Sequence, residues 1–163
     1  MMIADTTHAP KGKLTLVVRS PEGLAIASRR ACNIVLRNGA GLIASLFAGA
    51  PNTAAVNQVR VGFAKEAAST EVTALTPPEG NIAAEDLASA VQPQDFIIIT
   101  DQPGAVKVMV NAQFKPTVEL VNVSEAGLMA GDVLYNQVVF EPVTLRPGQD
   151  VTFFWEIDFP FGH

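Results

Sequence analysis

Val151-Thr152-Phe153-Phe154-Trp155-Glu156-Ile157-Asp158-Phe159 alternates large apolar residues with polar ones over nine positions. Successive side chains of a β-strand point to opposite faces, so this period of two specifies a strand with one buried and one wet face. Val151, Phe153, Trp155, Ile157 and Phe159 form the core side. Thr152, Glu156 and Asp158 form the other, and Phe154 is the one apolar residue among them. Working back along the chain, Val106, Val108, Val110, Ala112 and Phe114 repeat the pattern against Lys107, Asn111 and Gln113. Leu14, Leu16 and Val18 predict a first strand, Leu24 to Cys32 a second, and Val59, Val61 and Phe63 a third. Phe96–Thr100 and Leu134–Phe140 read as further strands. Pro21-Glu22-Gly23 and Arg146-Pro147-Gly148-Gln149 supply turns, because Pro presets φ and Gly accepts positive φ. Ser124-Glu125-Ala126-Gly127-Leu128 reads as a Gly-containing corner.

One segment changes period. Leu42, Ile43, Leu46 and Phe47 share a helical face, Gly49 and Pro51 end the pattern, and Asn38 is the expected N-cap. The expectation is a mainly β chain, an antiparallel β-sandwich with one short α-helix at about residues 38–48 packed on it. Residues 1–12 read as a flexible N-terminal arm and 13–163 as a single domain. Residues 65–93 form a long irregular loop, with a short helical turn expected at Ala83–Ala90. Thr76-Pro77-Pro78-Glu79-Gly80 within that loop resists regular structure, since Pro lacks a donor and restricts its predecessor.

Composition narrows the function classes. Nearly half of the 163 residues are apolar and 17% are charged, enough for a packed core. A net charge of −5 with scattered basic residues argues against nucleic acid, whose affinity rests on Lys and Arg. Arg29-Arg30 has no aromatic platform beside it. Cys32 is the single cysteine, read as a small buried hydrophobe; it excludes an internal disulfide and a Cys-rich zinc site. Met1 to Lys13 carries no apolar h-region, so no signal peptide is expected. The apolar runs are too short to span a membrane.

Catalytic constellations are sparse. His8 lies in the arm and His163 at the last position, neither beside a group that would orient it. Glu156 and Asp158 share a strand face about 7 Å apart, the spacing of a carboxylate pair but equally of a solvated face that resists edge pairing. Gly39-Ala40-Gly41 lacks the Lys of a phosphate loop, and helix entry explains it. The expectation is no enzyme, no cofactor and no metal. Phe154, Phe159, Phe161 and Tyr135, with Pro77 and Pro78 in the long loop, are the interface candidates.

Two blocks carry a resemblance. Asn33-Ile34-Val35-Leu36-Arg37-Asn38-Gly39-Ala40-Gly41-Leu42 with Leu46-Phe47-Ala48-Gly49 resembles the opening of small structural proteins of tailed bacteriophages. There a strand enters a short helix ending in a similar segment, and a strand comparable to Val59-Arg60-Val61-Gly62 follows. Ser124–Leu128, Leu134–Val143 and Thr152–Ile157 resemble the ending of that group, which includes tail, baseplate and fibre-attachment proteins and parts of related contractile injection systems. Gln137 stands where a basic residue is frequent in it, and the Pro-rich stretch Thr76–Gly80 is particular to this chain. The resemblance implies a non-enzymatic virion or tail-like-particle protein, made in the bacterial cytoplasm and acting as a homo-oligomer with other particle structural proteins. A glycan-binding β-sandwich module of a fibre or baseplate is the alternative, with Tyr135 or Phe154 beside Glu156 as the exposed aromatic.

Overall fold

Strand β10 (Asp150–Pro160) lies between two long partners that share its alternation. In this computed structural model, which describes residues 11–162, β1 (Lys11–Arg19) pairs with it antiparallel from Lys11↔Asp158 to Arg19↔Asp150. On its other side β6 (Ala105–Phe114) pairs from Val151↔Phe114 to Pro160↔Ala105. This register places Leu14, Leu16, Val18, Val110, Ala112, Phe114, Val151, Phe153, Trp155 and Ile157 on one face, all buried. Phe153 stacks on Trp155 with ring centroids 5.8 Å apart and meets Phe114 edge-on at 6.2 Å. Full burial of side chains this size contributes about 2–3 kcal/mol each.

The remaining elements extend the sheet both ways. β2 (Ala25–Val35) pairs with β1, and β5 (Phe96–Ile99) pairs with β6. β3 (Gln58–Gly62) pairs with β4 (Ala88–Ala90) and with β7 (Leu120–Ala130). β7 also pairs with β8 (Val133–Leu134) and with β9 (Asn136–Leu145). The path runs β4-β3-β7-β9-β2-β1-β10-β6-β5, an antiparallel sheet curled into a half-barrel. Two five-stranded halves meet at a seam of only two residue pairs between β2 and β9, Ile34↔Gln137 and Val35↔Asn136. The curl brings β4 over β6, where Ser89 Oγ donates to the Gln113 carbonyl at 2.7 Å. Nearby, Thr117 Oγ1 donates to Asp86 at 2.7 Å. The strands thus form one continuous antiparallel path, curled around a single main core.

Helix α1 (Arg37–Phe47) follows β2 directly. Its N-cap is Leu36 with no side-chain cap bond, so Asn38 lies inside the first turn instead of capping it. Gly39 is required by contact: a Cβ there would run into the Tyr135 carbonyl oxygen. Gly49, at φ +64°, ends the helix in the left-handed conformation that glycine accepts at low cost. Gly39 and Leu42 are the buried residues of the helix; Ile43, Leu46 and Phe47 of the expected packing face are exposed.

Other sequence expectations need correction. Ser124–Leu128 is not a corner but the middle of β7, and its partners on both sides satisfy the backbone that a corner would have left open. Cys32 is exposed, because its register partner Lys13 lies on the wet face of β1. The long loop carries a 3₁₀ turn at Ala84–Leu87, then β4, then another at Pro93–Asp95. Pairing starts at Lys11, within the segment expected as an arm; residues 1–10 of that arm, with His8, and the terminal His163 lie outside the described residues.

Candidate interaction surfaces and the mouth cleft

The wet face of β1, β10 and β6 is an ion-pair ladder. Lys13 stands opposite Glu156 in register and its ammonium lies 2.8 Å from the carboxylate. Lys107 reaches Glu156 at 3.9 Å and Asp158 at 3.8 Å. The hydrogen bond from Lys13, then its charge with those of Lys107 and Arg30, holds the Glu156 carboxyl below the usual range. Glu156 and Asp158 are thus brought together, but each faces a lysine, as in a surface ladder and unlike an acid–base pair. Phe154 sits half-buried in this face, flanked in register by Thr15 and Asn111. Among the described residues, no group of three or more His, Cys, Asp or Glu side chains could hold a metal, and no helix is long and apolar enough to cross a membrane.

The opposite half of the sheet is built differently. On β7, every residue from Val123 to Ala130 is buried, so both faces are covered. One face meets the main core; the other lies under the loop from Phe63 to Gly80. The attachment is polar. Thr76 N–H donates to Glu125 Oε1, Gln137 Nε2 donates to Glu125 Oε2 at 2.7 Å, and Ser69 N–H donates to Gln137 Oε1 at 3.2 Å. Ser124 Oγ adds a bond to the Ala64 carbonyl at 2.7 Å. Gly62 is required here, since a Cβ would lie 2.5 Å from Glu125 Oε1. Val72 and Leu75 of the loop pack on a second small core of Leu36, Met129 and Leu134. Sequence reading missed this network because Glu125 was placed in a corner. The available signal was a run of polar residues, Asn136 and Gln137, inside an otherwise apolar strand.

Exposed large apolar groups cluster at the end of α1 and on β5, with Leu24, Ile26, Val121, Val133 and Phe161 exposed elsewhere. At the end of α1, Phe47 is 95% exposed, with Ile43 at 40% and Leu46 at 41%. On the edge strand β5, Ile97 and Ile98 are 58% and 65% exposed. The predicted interface residues are dispersed around these. Phe161 is exposed beyond β10, and Phe159 is half-buried against the main core. Pro77 is exposed and Pro78 half-buried; both line a cleft of about 620 Å³ with Phe63, Ile82 and Val121. No protein-family model, curated protein or solved structure matches the chain. Tyr135, expected as an exposed aromatic, is buried in the core with 2% of its surface accessible. Its turn between β8 and β9 is fixed by Tyr135 N–H donating to the Leu128 carbonyl at 2.9 Å.

Tyr135 nevertheless reaches a second cleft, of about 730 Å³, at the mouth of the half-barrel. Val35, Leu36, Ile43 and Phe159 provide apolar walls, with Asn33 and Tyr135 set among them. The rim carries Arg37, paired bidentately with Glu71 at 2.8 and 2.9 Å. Burial pushes the Tyr135 phenol up to about 12, because the charged form is poorly solvated there.

Proposed function

We propose that this chain is a non-enzymatic structural protein of a tailed-phage virion or phage-tail-like particle, assembling as a homo-oligomer through the end of α1 and the β5 edge. The observation that carries the reading is the apolar surface left uncovered by the fold, above all Phe47, next to Ile43 and Leu46. A helix normally turns such residues into its own core; their exposure fits a subunit whose partner supplies the missing cover. Edge strand β5 supports it, since an unpaired edge bearing Ile97 and Ile98 is a ready surface for another chain. The phage-like wording of Asn33–Gly49 and of Ser124–Ile157 supplies the particle context. In this reading the two halves of the curled sheet act as the layers of a sandwich joined at the β2–β9 seam. The glycan-binding alternative has less support, because Tyr135 is buried and Phe154 half-buried. Solution mass by light scattering tests the proposal. The wild-type chain is expected to form a discrete oligomer, and Phe47→Asp to lower its mass while leaving the circular dichroism unchanged. A wild-type protein that stays monomeric at high concentration would sink the homo-oligomer.

A further inference from the structure

The tip of the β1–β2 hairpin stands clear of the core. Every residue from Pro21 to Ile26 is exposed, so both faces of β2 are wet where it begins. Leu24 and Ile26, 68% and 54% exposed, are large apolar side chains left uncovered there. One backbone edge is open as well. β2 pairs with β1 from Ala25 onwards, but with β9 only at Ile34 and Val35. Further along the seam the Arg29 side chain takes over, donating to the Glu141 and Pro142 carbonyls at 2.7 and 2.8 Å. Ala25 to Ala27, nearer the turn, have no strand partner on that side. The hairpin is also cationic. Arg19, Arg29 and Arg30 stand between Lys13 and Cys32 with one acid, Glu22, although the chain as a whole carries −5. Arg19 lies opposite Ala25, and neither Arg19 nor Arg30 forms an ion pair among the described residues.

A partner for this edge has to bring an open strand, apolar side chains and negative charge together. The β5 edge of a second copy brings all three. It ends the path of the sheet, and Ile97 and Ile98 on it are exposed. Asp95 and Asp101 flank it, and the chain has no Lys or Arg between Lys65 and Lys107. Asp101 forms no ion pair among the described residues. Two β5 edges set against each other would instead place acid beside acid, which destabilises a strand pair. We propose, on the basis of the homo-oligomer reading above, that the subunit contact is head-to-tail: the β5 edge of one copy adds as a strand to the open Ala25–Ala27 edge of the next. Ile97 and Ile98 then meet Leu24 and Ile26, and the flanking aspartates face Arg19 and Arg30. Strand addition supplies the backbone bonds, the isoleucines the apolar burial, and the opposed charges the choice of edge. Each copy uses two different surfaces, so the contact repeats from copy to copy and closes as a ring rather than as a two-fold dimer.

Cross-linking of the full chain tests which edges meet. Cys32 is exposed and is first replaced, Cys32→Ser, so that introduced thiols are the only ones. Ile26→Cys and Ile98→Cys are then made in separate chains, one of them carrying an affinity tag, and treated with a short thiol-specific cross-linker. Mixed chains are expected to give a tagged–untagged product, and either chain alone none. A charge exchange provides a second measurement that needs no cysteine. Arg30→Asp and Asp101→Arg are each expected to weaken subunit association about tenfold, and the chain carrying both to recover most of the loss. Cross-linking of Ile98→Cys to itself, no mixed product from chains that light scattering shows to be oligomeric, or no recovery in the double charge variant would each overturn the head-to-tail contact. Those outcomes leave the homo-oligomer standing. A wild-type chain that stays monomeric removes both, so the light-scattering mass separates the two failures.

Discussion

Strands β10 and β7 are the same length and belong to one sheet, yet they are stabilised in different ways. β10 alternates: its odd-numbered residues from Val151 to Ile157 are buried, and the residues between them are half-buried, with Glu156 beside Lys13 and Lys107. β7 has no wet face after Val123, and its covered outer side contains a carboxylate, Glu125, with no exposure at all. The lesson is about where polar groups matter. On β10, water takes part in satisfying the charges, so any one of them is dispensable. On β7, a loop replaces water, and each hydrogen bond to Glu125 has no substitute.

The largest effect that would sharpen this contrast is Phe153→Ala in the shared core. It is expected to cost about 3–5 kcal/mol in denaturant unfolding, since the ring is fully buried and stacked on Trp155. A loss below about 1 kcal/mol would mean that β10's inner face is not the core this structure describes. Next comes the pair that compares the two strands directly. Glu125→Ala strands the Gln137 amide and the Thr76 N–H and is expected to cost about 2–4 kcal/mol. Glu156→Ala on the wet face should cost less than about 1 kcal/mol. Hydrogen exchange adds a local check: Glu125→Ala should expose the amides of Ser69 and Thr76, while Glu156→Ala leaves them protected. Equal costs for the two substitutions would break the comparison.

The smallest effect is in acid. Glu156 has its folded pKa depressed, so its contribution is present above the unfolded carboxylate range and disappears as pH falls through the folded value. Wild-type stability should therefore lose a fraction of a kcal/mol more than that of Glu156→Gln on acidification below about pH 4.5, read as the difference in urea midpoints. No difference between the two would mean that the lysine ladder adds nothing.

These two strands also mark what could be read from the sequence. The inner faces of β1, β6 and β10 were legible because one face is wet and the other dry, so the period shows in the residue types. The turns at Pro21–Gly23 and Arg146–Gln149 were legible because glycine with positive φ is needed there, as Gly23 and Gly148 confirm. β7 was illegible for the opposite reason: burial on both faces erases the period, and Gly127 with Glu125 imitates a turn. The helix was found within a residue of its true ends, but periodicity names an apolar face without naming what it meets. Hence Phe47 was expected inside and stands outside. Asn33 and Tyr135 were unreadable as a pair, because only the curl of the sheet brings them to one cleft. Asn33 appeared only as part of a strand motif, and Tyr135 only as an isolated aromatic.

The pairing of β1 with β10 has a consequence for the order of events during synthesis. The first described strand finds one of its partners far along the chain, Lys11 opposite Asp158. Leu14, Leu16 and Val18 therefore leave the ribosome long before the surface that covers them exists. Contacts so distant in sequence form only after the entropy of closing a long loop has been met, which slows folding relative to local pairing. The nascent chain accordingly carries an apolar strand in search of an edge until β10 has been made. β2, its antiparallel neighbour across the short Pro21–Gly23 turn, is the one partner at hand to shield it in the interval.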